Sequence, residues 1–76
     1  MGGKLPIVSG REVARVLIRL GFALKSQKGS HMKFIRTSER GRQIIIVPLH
    51  KALRKGTLHT ILKEVGLDVD ALQSLR

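Results

Sequence analysis

A short stretch in the middle of the chain combines residue types that suit phosphate chemistry: Lys28, Gly29, Ser30, His31 and Lys33. A neutral imidazole can accept a proton near neutral pH, which suits it to general-base catalysis. Lysine ammonium groups and backbone N–H groups can stabilise negative charge that develops on phosphoryl oxygens. The stretch therefore predicts a phosphodiester site, with His31 as the best candidate catalytic residue and the other four as RNA-binding residues.

Cleavage of RNA without a metal needs a base that takes the proton of a ribose 2′-hydroxyl, so that this oxygen attacks the adjacent phosphorus. His31 could be that base. A positioned general base contributes about 10²–10⁴-fold in rate, which predicts a slow nuclease. In the alternative interpretation His31 is a solvated or phosphate-contacting residue, and the protein is a non-catalytic RNA-binding module of the same fold.

The chain has two further histidines, His50 and His59. His50 follows the Val47-Pro48-Leu49 segment, and it is a candidate to contact RNA, to orient the substrate or to protonate the leaving oxygen. His59 lies beside the apolar stripe of a predicted helix, and this position predicts a solvated surface residue.

A second basic segment, residues 51–56, leads into the N-terminus of the second predicted helix. Lys51, Arg54 and Lys55 there, together with the partial positive charge of a helix N-terminus, predict further phosphate contacts. The alternative is a solvated linker. Only 3% of the residues are aromatic, with no Tyr and no Trp, so base stacking on aromatic rings is nearly excluded and a weak sequence preference is expected.

The net charge is strongly positive, with fifteen basic against five acidic residues, or +10. Residues 1–63 hold fourteen basic and two acidic residues (+12), whereas residues 64–76 hold one and three (−2). Such a field favours a polyanion, an anionic membrane surface or an acidic protein partner. A small adaptor that binds only an acidic protein is therefore a second alternative to a nuclease.

Several classes of site and location are not expected. The chain has no cysteine, so disulfides and thiolate metal sites are excluded. No carboxylates converge in the sequence, so we predict no metal and no small-molecule cofactor. No apolar run approaches the roughly 20 residues that span a bilayer, and no signal peptide is evident. A single domain over residues 1–76, cytoplasmic and without membrane association, is the expectation.

The first predicted helix covers residues 10–20. Ser9 and Glu12 match a capping box, in which each side chain accepts a hydrogen bond from the other residue's backbone N–H. An apolar stripe follows at helical spacing: Val13, Val16, Leu17 and Leu20. Gly21 supplies a left-handed stop.

Extended and helical segments alternate with turns in the rest of the chain. The predicted strands are Phe22–Gln27, His31–Arg36 and Gln43–Pro48, joined by turns at Lys28–Ser30 and Thr37–Gly41. The second helix is predicted to run from an N-cap at Thr57 to Gly66, and Asp68 to cap a short C-terminal helix.

The α-β-β-β-α order predicts an α+β fold like that of double-stranded-RNA-binding domains, with a three-stranded antiparallel sheet, two helices on one face and a short C-terminal helix. We expect Arg36 opposite Arg42, which places His31 opposite Val47 and His50 near Lys28. A shift of one residue would turn every side chain to the other face.

The sequence resembles the HicA toxin family from about Leu5 to Leu72. The segments that carry the resemblance, in family order, are Leu5–Glu12, Leu20–Phe22, Gln27–His31, Val47–His50, Lys55–Leu58, Ile61–Leu62 and Val65–Leu67. Many relatives have a second histidine directly after the first and an aromatic residue two positions later. Here Met32 and Phe34 occupy these positions, and we interpret Met32 as a core residue.

The resemblance implies a fold, an activity and a partner. HicA-like proteins have a double-stranded-RNA-binding-like fold and cleave mRNA without a metal and independently of translation. The histidine of their Gly-Ser-His motif is the catalytic residue, a position that His31 occupies here. A HicB antitoxin holds them inactive in a bacterial or archaeal cytoplasm.

Overall fold

The first helix, α1 (Gly10–Arg19), begins at the predicted capping box. In the computed structural model, which describes residues 5–76, the Glu12 N–H donates to Ser9 Oγ and the Ser9 N–H donates to Glu12 Oε1, both at 3.1 Å. Gly21 follows with a φ of 94°, a conformation that side-chain-bearing residues rarely adopt. The prediction for this helix is confirmed to within one residue.

Three antiparallel strands form the sheet in the order β1-β2-β3, with β1 at Ala23–Lys28, β2 at His31–Ser38 and β3 at Gly41–Pro48. Two-residue turns at Gly29–Ser30 and Glu39–Arg40 join them. The predicted longer turn at Thr37–Gly41 is wrong, because β2 and β3 continue pairing as far as Ser38 and Gly41.

The predicted register between β2 and β3 is wrong by one residue. Arg36 lies opposite Gln43 rather than Arg42, and His31 lies opposite Pro48 rather than Val47. Burial explains the difference, because the apolar residues on the core side of both strands must face the same way. The observed pairs Met32–Val47 and Phe34–Ile45 bury all four side chains together.

Strand β1 contains a bulge at Lys25, between the pairs Leu24–Phe34 and Ser26–Lys33. A bulge adds one residue to one strand and changes which face the following side chains occupy. Phe22, just before β1, is buried in the core, and Lys28 lies opposite His31 on the other face. Residues six apart would share a face in a regular strand, so the bulge makes both placements possible.

Helices α2 (Lys55–Val65) and α3 (Val69–Leu75) follow the sheet. The prediction that Thr57 is the N-cap of α2 is wrong. The N-cap is Arg54, three residues earlier, and its side chain makes no capping hydrogen bond. Gly66 ends α2 in the left-handed conformation, and Asp68 caps α3 by accepting the Ala71 N–H at 2.7 Å. Both of these predictions are confirmed.

The core lies between the helices and one face of the sheet. Its largest fully buried side chains are Phe34, Leu17, Ile45, Leu58, Leu72, Val8, Val16 and Val47. Met32 is also buried, at 6% exposure, as predicted. The other face of the sheet, called the open face below, leaves Ile44 and Ile46 40% and 48% exposed. The predicted α+β architecture is thus confirmed.

An ion pair joins the two ends of the described chain. The Arg76 guanidinium donates to Glu12 Oε2 at 2.7 Å and to the Ile7 carbonyl at 2.9 Å. The hydrogen bond from Arg76 to the carboxylate, together with that from the Ser9 backbone N–H, lowers the pKa of Glu12 from its ordinary 4.5 to about 2. Among the helices of residues 5–76, none has the length and hydrophobicity needed to cross a membrane.

Candidate nucleic-acid interface

His31 is the first residue of β2, and its side chain is exposed on the open face. It lies directly opposite Lys28 of β1 and Pro48 of β3. Directly opposite residues share a face and have Cβ atoms about 4.5–5.5 Å apart. The register thus makes the exposed side chains of His31 and Lys28 neighbours on the open face.

A shallow depression of about 210 Å³ surrounds this pair and is lined by Ser26, Lys28, His31, Met32, Lys33 and Ile46. Three of the predicted site residues, Lys28, His31 and Lys33, are therefore together. Sequence reasoning missed Ser26 and Ile46. Both were missed because the side chains that share a face with His31 depend on the strand register and on the irregularity in β1, which the alternation pattern alone does not show.

The turn that precedes His31 is tied to the segment that follows β3. Gly29 has a φ of 55°, which favours glycine, and a Cβ added there would meet nothing within 4 Å. The Leu49 N–H donates to the Ser30 carbonyl at 2.6 Å. Gly29 and Ser30 are both exposed, so the turn is accessible next to the imidazole.

Backbone hydrogen bonds fix the segment after β3 against the N-terminal part of the chain, while its polar side chains are exposed to solvent. The Leu53 N–H donates to the Val8 carbonyl at 2.8 Å, and Leu53 is buried. The Gly10 N–H donates to the His50 carbonyl at 2.9 Å. His50 and Lys51 are exposed in this anchored segment, just beyond the sheet end that carries His31.

The start of α2 borders the same open face. A groove between β3 and α2 is lined by Ile44, Ile46, Gly56, Thr57, Thr60, Ile61 and Glu64. Ile46 lines both this groove and the depression around His31. The groove therefore joins the first turn of α2, at Gly56 and Thr57, to the histidine depression. The exposed Arg54 and Lys55 directly precede these residues but line neither space.

Arg11 is a basic residue that the site prediction did not include. It is exposed in the first turn of α1, and its neighbour Gly10 is hydrogen-bonded to His50. The signal was the repeat of Arg11, Arg15 and Arg19 on one face of the predicted helix. The sequence alone did not show that this helix begins beside residue 50.

Comparison with known proteins decides the family. The sequence model of the HicA toxin of bacterial toxin–antitoxin systems matches residues 10–67. The chain belongs to the HicA toxin family. No curated protein matches it. The HicA match includes α1, all three strands and α2, and thus every predicted site residue, whereas α3 lies outside it. Membership assigns a toxin role and implies an antitoxin partner.

The basic residues at the opposite end of the sheet border another depression, which shares Glu64 with the groove between β3 and α2. Arg40, Arg42 and Lys63 line a depression beside the β2–β3 turn. Arg36, which also lines it, has a structural role, because it donates to the Leu20 carbonyl at 2.8 Å and its guanidinium lies 4.4 Å from the centre of the Phe22 ring.

In the described part of the chain, no carboxylate forms an ion pair with the basic residues around His31. Within residues 5–76 the one ion pair shorter than 4.0 Å joins Arg76 and Glu12, and it involves none of the predicted site residues. In the same part of the chain no three His, Asp or Glu residues are grouped as metal ligands would be. An anion that approaches His31 thus meets Lys28 and Lys33, neither of which is paired with a carboxylate.

Proposed function

We propose that this HicA-family chain is an endoribonuclease that cleaves mRNA without a metal, in the cytoplasm, and that a HicB-type antitoxin inhibits it. The observation that supports this most is the placement of His31. Its imidazole is solvent-exposed, lies directly opposite Lys28, and borders a depression that also contains Lys33. A base next to two cations is what attack of a 2′-oxygen on a phosphodiester requires.

The proposed reaction is an internal transesterification. His31 accepts the proton of the ribose 2′-hydroxyl, and the 2′-oxygen forms a bond to phosphorus as the bond to the 5′-oxygen breaks. Lys28 and Lys33 stabilise the charge on the non-bridging oxygens. The leaving 5′-oxygen takes a proton from His50 or from solvent, so the products are a 2′,3′-cyclic phosphate and a 5′-hydroxyl.

The RNA chain extends from the depression towards α2 in this proposal. Lys51, Arg54 and Lys55 contact phosphates there, and the Gly29–Ser30 turn contacts the phosphate next to the reacting one. Continuity of the two surfaces through Ile46 supports this path. An acidic antitoxin surface placed over the open face would block RNA binding and chemistry together.

The decisive experiment compares the wild type with His31→Ala on a purified transcript in excess EDTA. Loss of the base should lower the cleavage rate by about 10²–10⁴-fold and leave RNA affinity nearly unchanged. His59→Ala is the matched control, because His59 is also exposed but lies on α2 away from the depression. Undiminished cleavage by His31→Ala would exclude the proposed role.

RNA retention without cleavage by the wild type would instead favour the non-catalytic RNA-binding module. An adaptor for an acidic protein would show neither cleavage nor RNA affinity. The cyclic phosphate product, detected by mass spectrometry, identifies the 2′-hydroxyl as the nucleophile.

A further inference from the structure

The depression around His31 contains a second row of residues with a different chemical character. On the open face, Lys33 lies between Ser26 of β1 and Ile46 of β3, one cross-strand row beyond His31. Two residues along a strand cover roughly 7 Å. This row offers a hydroxyl group, an ammonium group and a half-exposed branched alkyl group, all bordering the same space as the imidazole.

We infer that Ser26 and Ile46 form a subsite for one unpaired nucleobase, that of the nucleotide whose 2′-hydroxyl reacts. The inference rests on the proposed function, and it names the part of the substrate that the depression selects. A base is separated from its own 2′-hydroxyl by one sugar ring. A base on the Ser26–Ile46 row therefore brings its ribose to the His31 row.

The choice of Ile46 follows from what the chain has available to contact a base. Proteins usually hold an unpaired base against an aromatic ring. Here both phenylalanines, Phe22 and Phe34, are buried at 3% and 1% exposure, and the chain has no Tyr or Trp. An exposed alkyl group is the remaining apolar surface, and Ile46 is the large exposed one that shares the depression with His31.

The size and depth of the depression favour a single base over a duplex. A space of about 210 Å³ on an open sheet face admits one planar heterocycle beside Ile46. Bases inside a duplex are stacked on their neighbours, and only single-stranded segments can turn a base out in this way. The Ser26 hydroxyl both donates and accepts, so it can bind the edge of any base and implies little discrimination.

The test uses Ile46→Ser with Ile44→Ser as the matched control. Both residues lie on the open face of β3 with similar exposure, 48% and 40%, but only Ile46 lines the histidine depression. On a short single-stranded oligoribonucleotide, Ile46→Ser should lower kcat/KM roughly tenfold, the scale of one base contact. Ile44→Ser should have a much smaller effect, and Ile46→Val should retain most of the activity.

An oligonucleotide without a base at the reacting nucleotide isolates the contact. With this substrate the difference between wild type and Ile46→Ser should disappear, because the group that Ile46 contacts is absent. Equal losses for Ile44→Ser and Ile46→Ser, or an undiminished Ile46→Ser effect on the abasic substrate, would overturn the subsite. Unchanged thermal unfolding of the three variants verifies that they fold.

Binding of a 2′-O-methyl oligonucleotide separates this inference from the proposed function. The analogue has no nucleophile, so fluorescence anisotropy reports affinity without chemistry. Weaker binding by Ile46→Ser than by Ile44→Ser supports the subsite even if the wild type cleaves no RNA, a result that would reject the nuclease alone. Equal affinities of the two variants would reject the subsite even if cleavage is observed.

Discussion

Gly10 has no side chain, and this allows the start of α1 to lie directly against the backbone of the segment after β3. A Cβ at Gly10 would overlap the carbonyl group of Pro48 and crowd the Cα of Leu49, and both obstacles are backbone. The hydrogen bond from the Gly10 N–H to the His50 carbonyl requires this close approach. Gly10 therefore positions the segment that carries His50.

Replacement of Gly10 by alanine should destabilise the protein by about 1–3 kcal/mol, the usual penalty for overpacking against atoms that cannot move aside. Gly56→Ala is the control, because a Cβ there meets nothing within 4 Å and alanine favours a helix by up to about 1 kcal/mol. Urea denaturation measures both free energies of unfolding. Changes in the free energy of unfolding of the same sign for both variants would contradict overpacking at residue 10.

Glu12 predicts a pH dependence of stability. Its pKa of about 2 in the folded protein lies below the ordinary 4.5, mainly because Arg76 donates a hydrogen bond to the carboxylate. The ionised carboxylate of Glu12 therefore stabilises the folded protein. This stabilisation is complete above about pH 5 and is lost as the pH falls towards 2. The midpoint temperature of thermal unfolding should fall as the pH is lowered from 6 to 2, and this fall should be smaller for Glu12→Gln than for the wild type.

Salt provides a control for this interpretation. The Arg76 and Glu12 side chains are 28% and 30% exposed, so added salt should weaken their attraction and shrink the difference between wild type and Glu12→Gln. Identical pH profiles for the two proteins at low salt would show that the pair does not stabilise the fold.

At the scale of elements, the bulge in β1 determines which lysine accompanies the histidine. It places Lys28 opposite His31 and leaves Lys25 unpaired in the ladder. Sequence alternation predicted a regular strand and assigned Lys28 to a turn, because a bulge has no local signal here. The bulge arises from tertiary packing, because Phe22 must lie in the core while the two-residue turn pairs Lys28 with His31 on the other face.

Lys28→Ala should therefore lower the rate of RNA cleavage roughly tenfold or more, since a cation that stabilises the phosphoryl oxygens is lost. Lys25→Ala removes the same charge from the same strand but not from the depression, and it should have little effect on the rate. Single-turnover cleavage of a short oligonucleotide compares the two. Equal rates would mean that Lys28 contributes only to the overall charge.

Local signals predicted some elements well and failed where packing decides. The cap of α1 was predictable because Ser9 and Glu12 satisfy each other's backbone groups within one turn. The start of α2 was not, since the burial of Leu53 fixes where the chain enters the helix and overrides Thr57. The identity of His31 came from its motif, whereas Ser26 and Ile46 depend on the strand register.

At the scale of the whole molecule, uncompensated positive charge should dominate RNA affinity. The logarithm of the affinity should fall linearly with that of the salt concentration, with a slope of about −0.7 per phosphate contacted in single-stranded RNA. Lys55→Gln, at the start of α2, should reduce the magnitude of the slope by about 0.7 if this residue contacts a phosphate.

Lys63→Gln is the control for the salt experiment. Lys63 is exposed in the last turn of the same helix, and it lines the depression beside the β2–β3 turn, which contains none of the predicted site residues. It should leave the slope unchanged. An equal change of the slope in both variants would indicate that RNA affinity depends on the net charge of the protein and not on contacts at defined positions.

The connections of the sheet affect how soon a newly made toxin can act. Each strand pairs with its neighbour in sequence across a two-residue turn, so the sheet forms without closing a long loop. Chains rich in such local contacts fold quickly. We therefore expect folding to add little delay after synthesis, so that inhibition would require antitoxin made before the toxin or together with it.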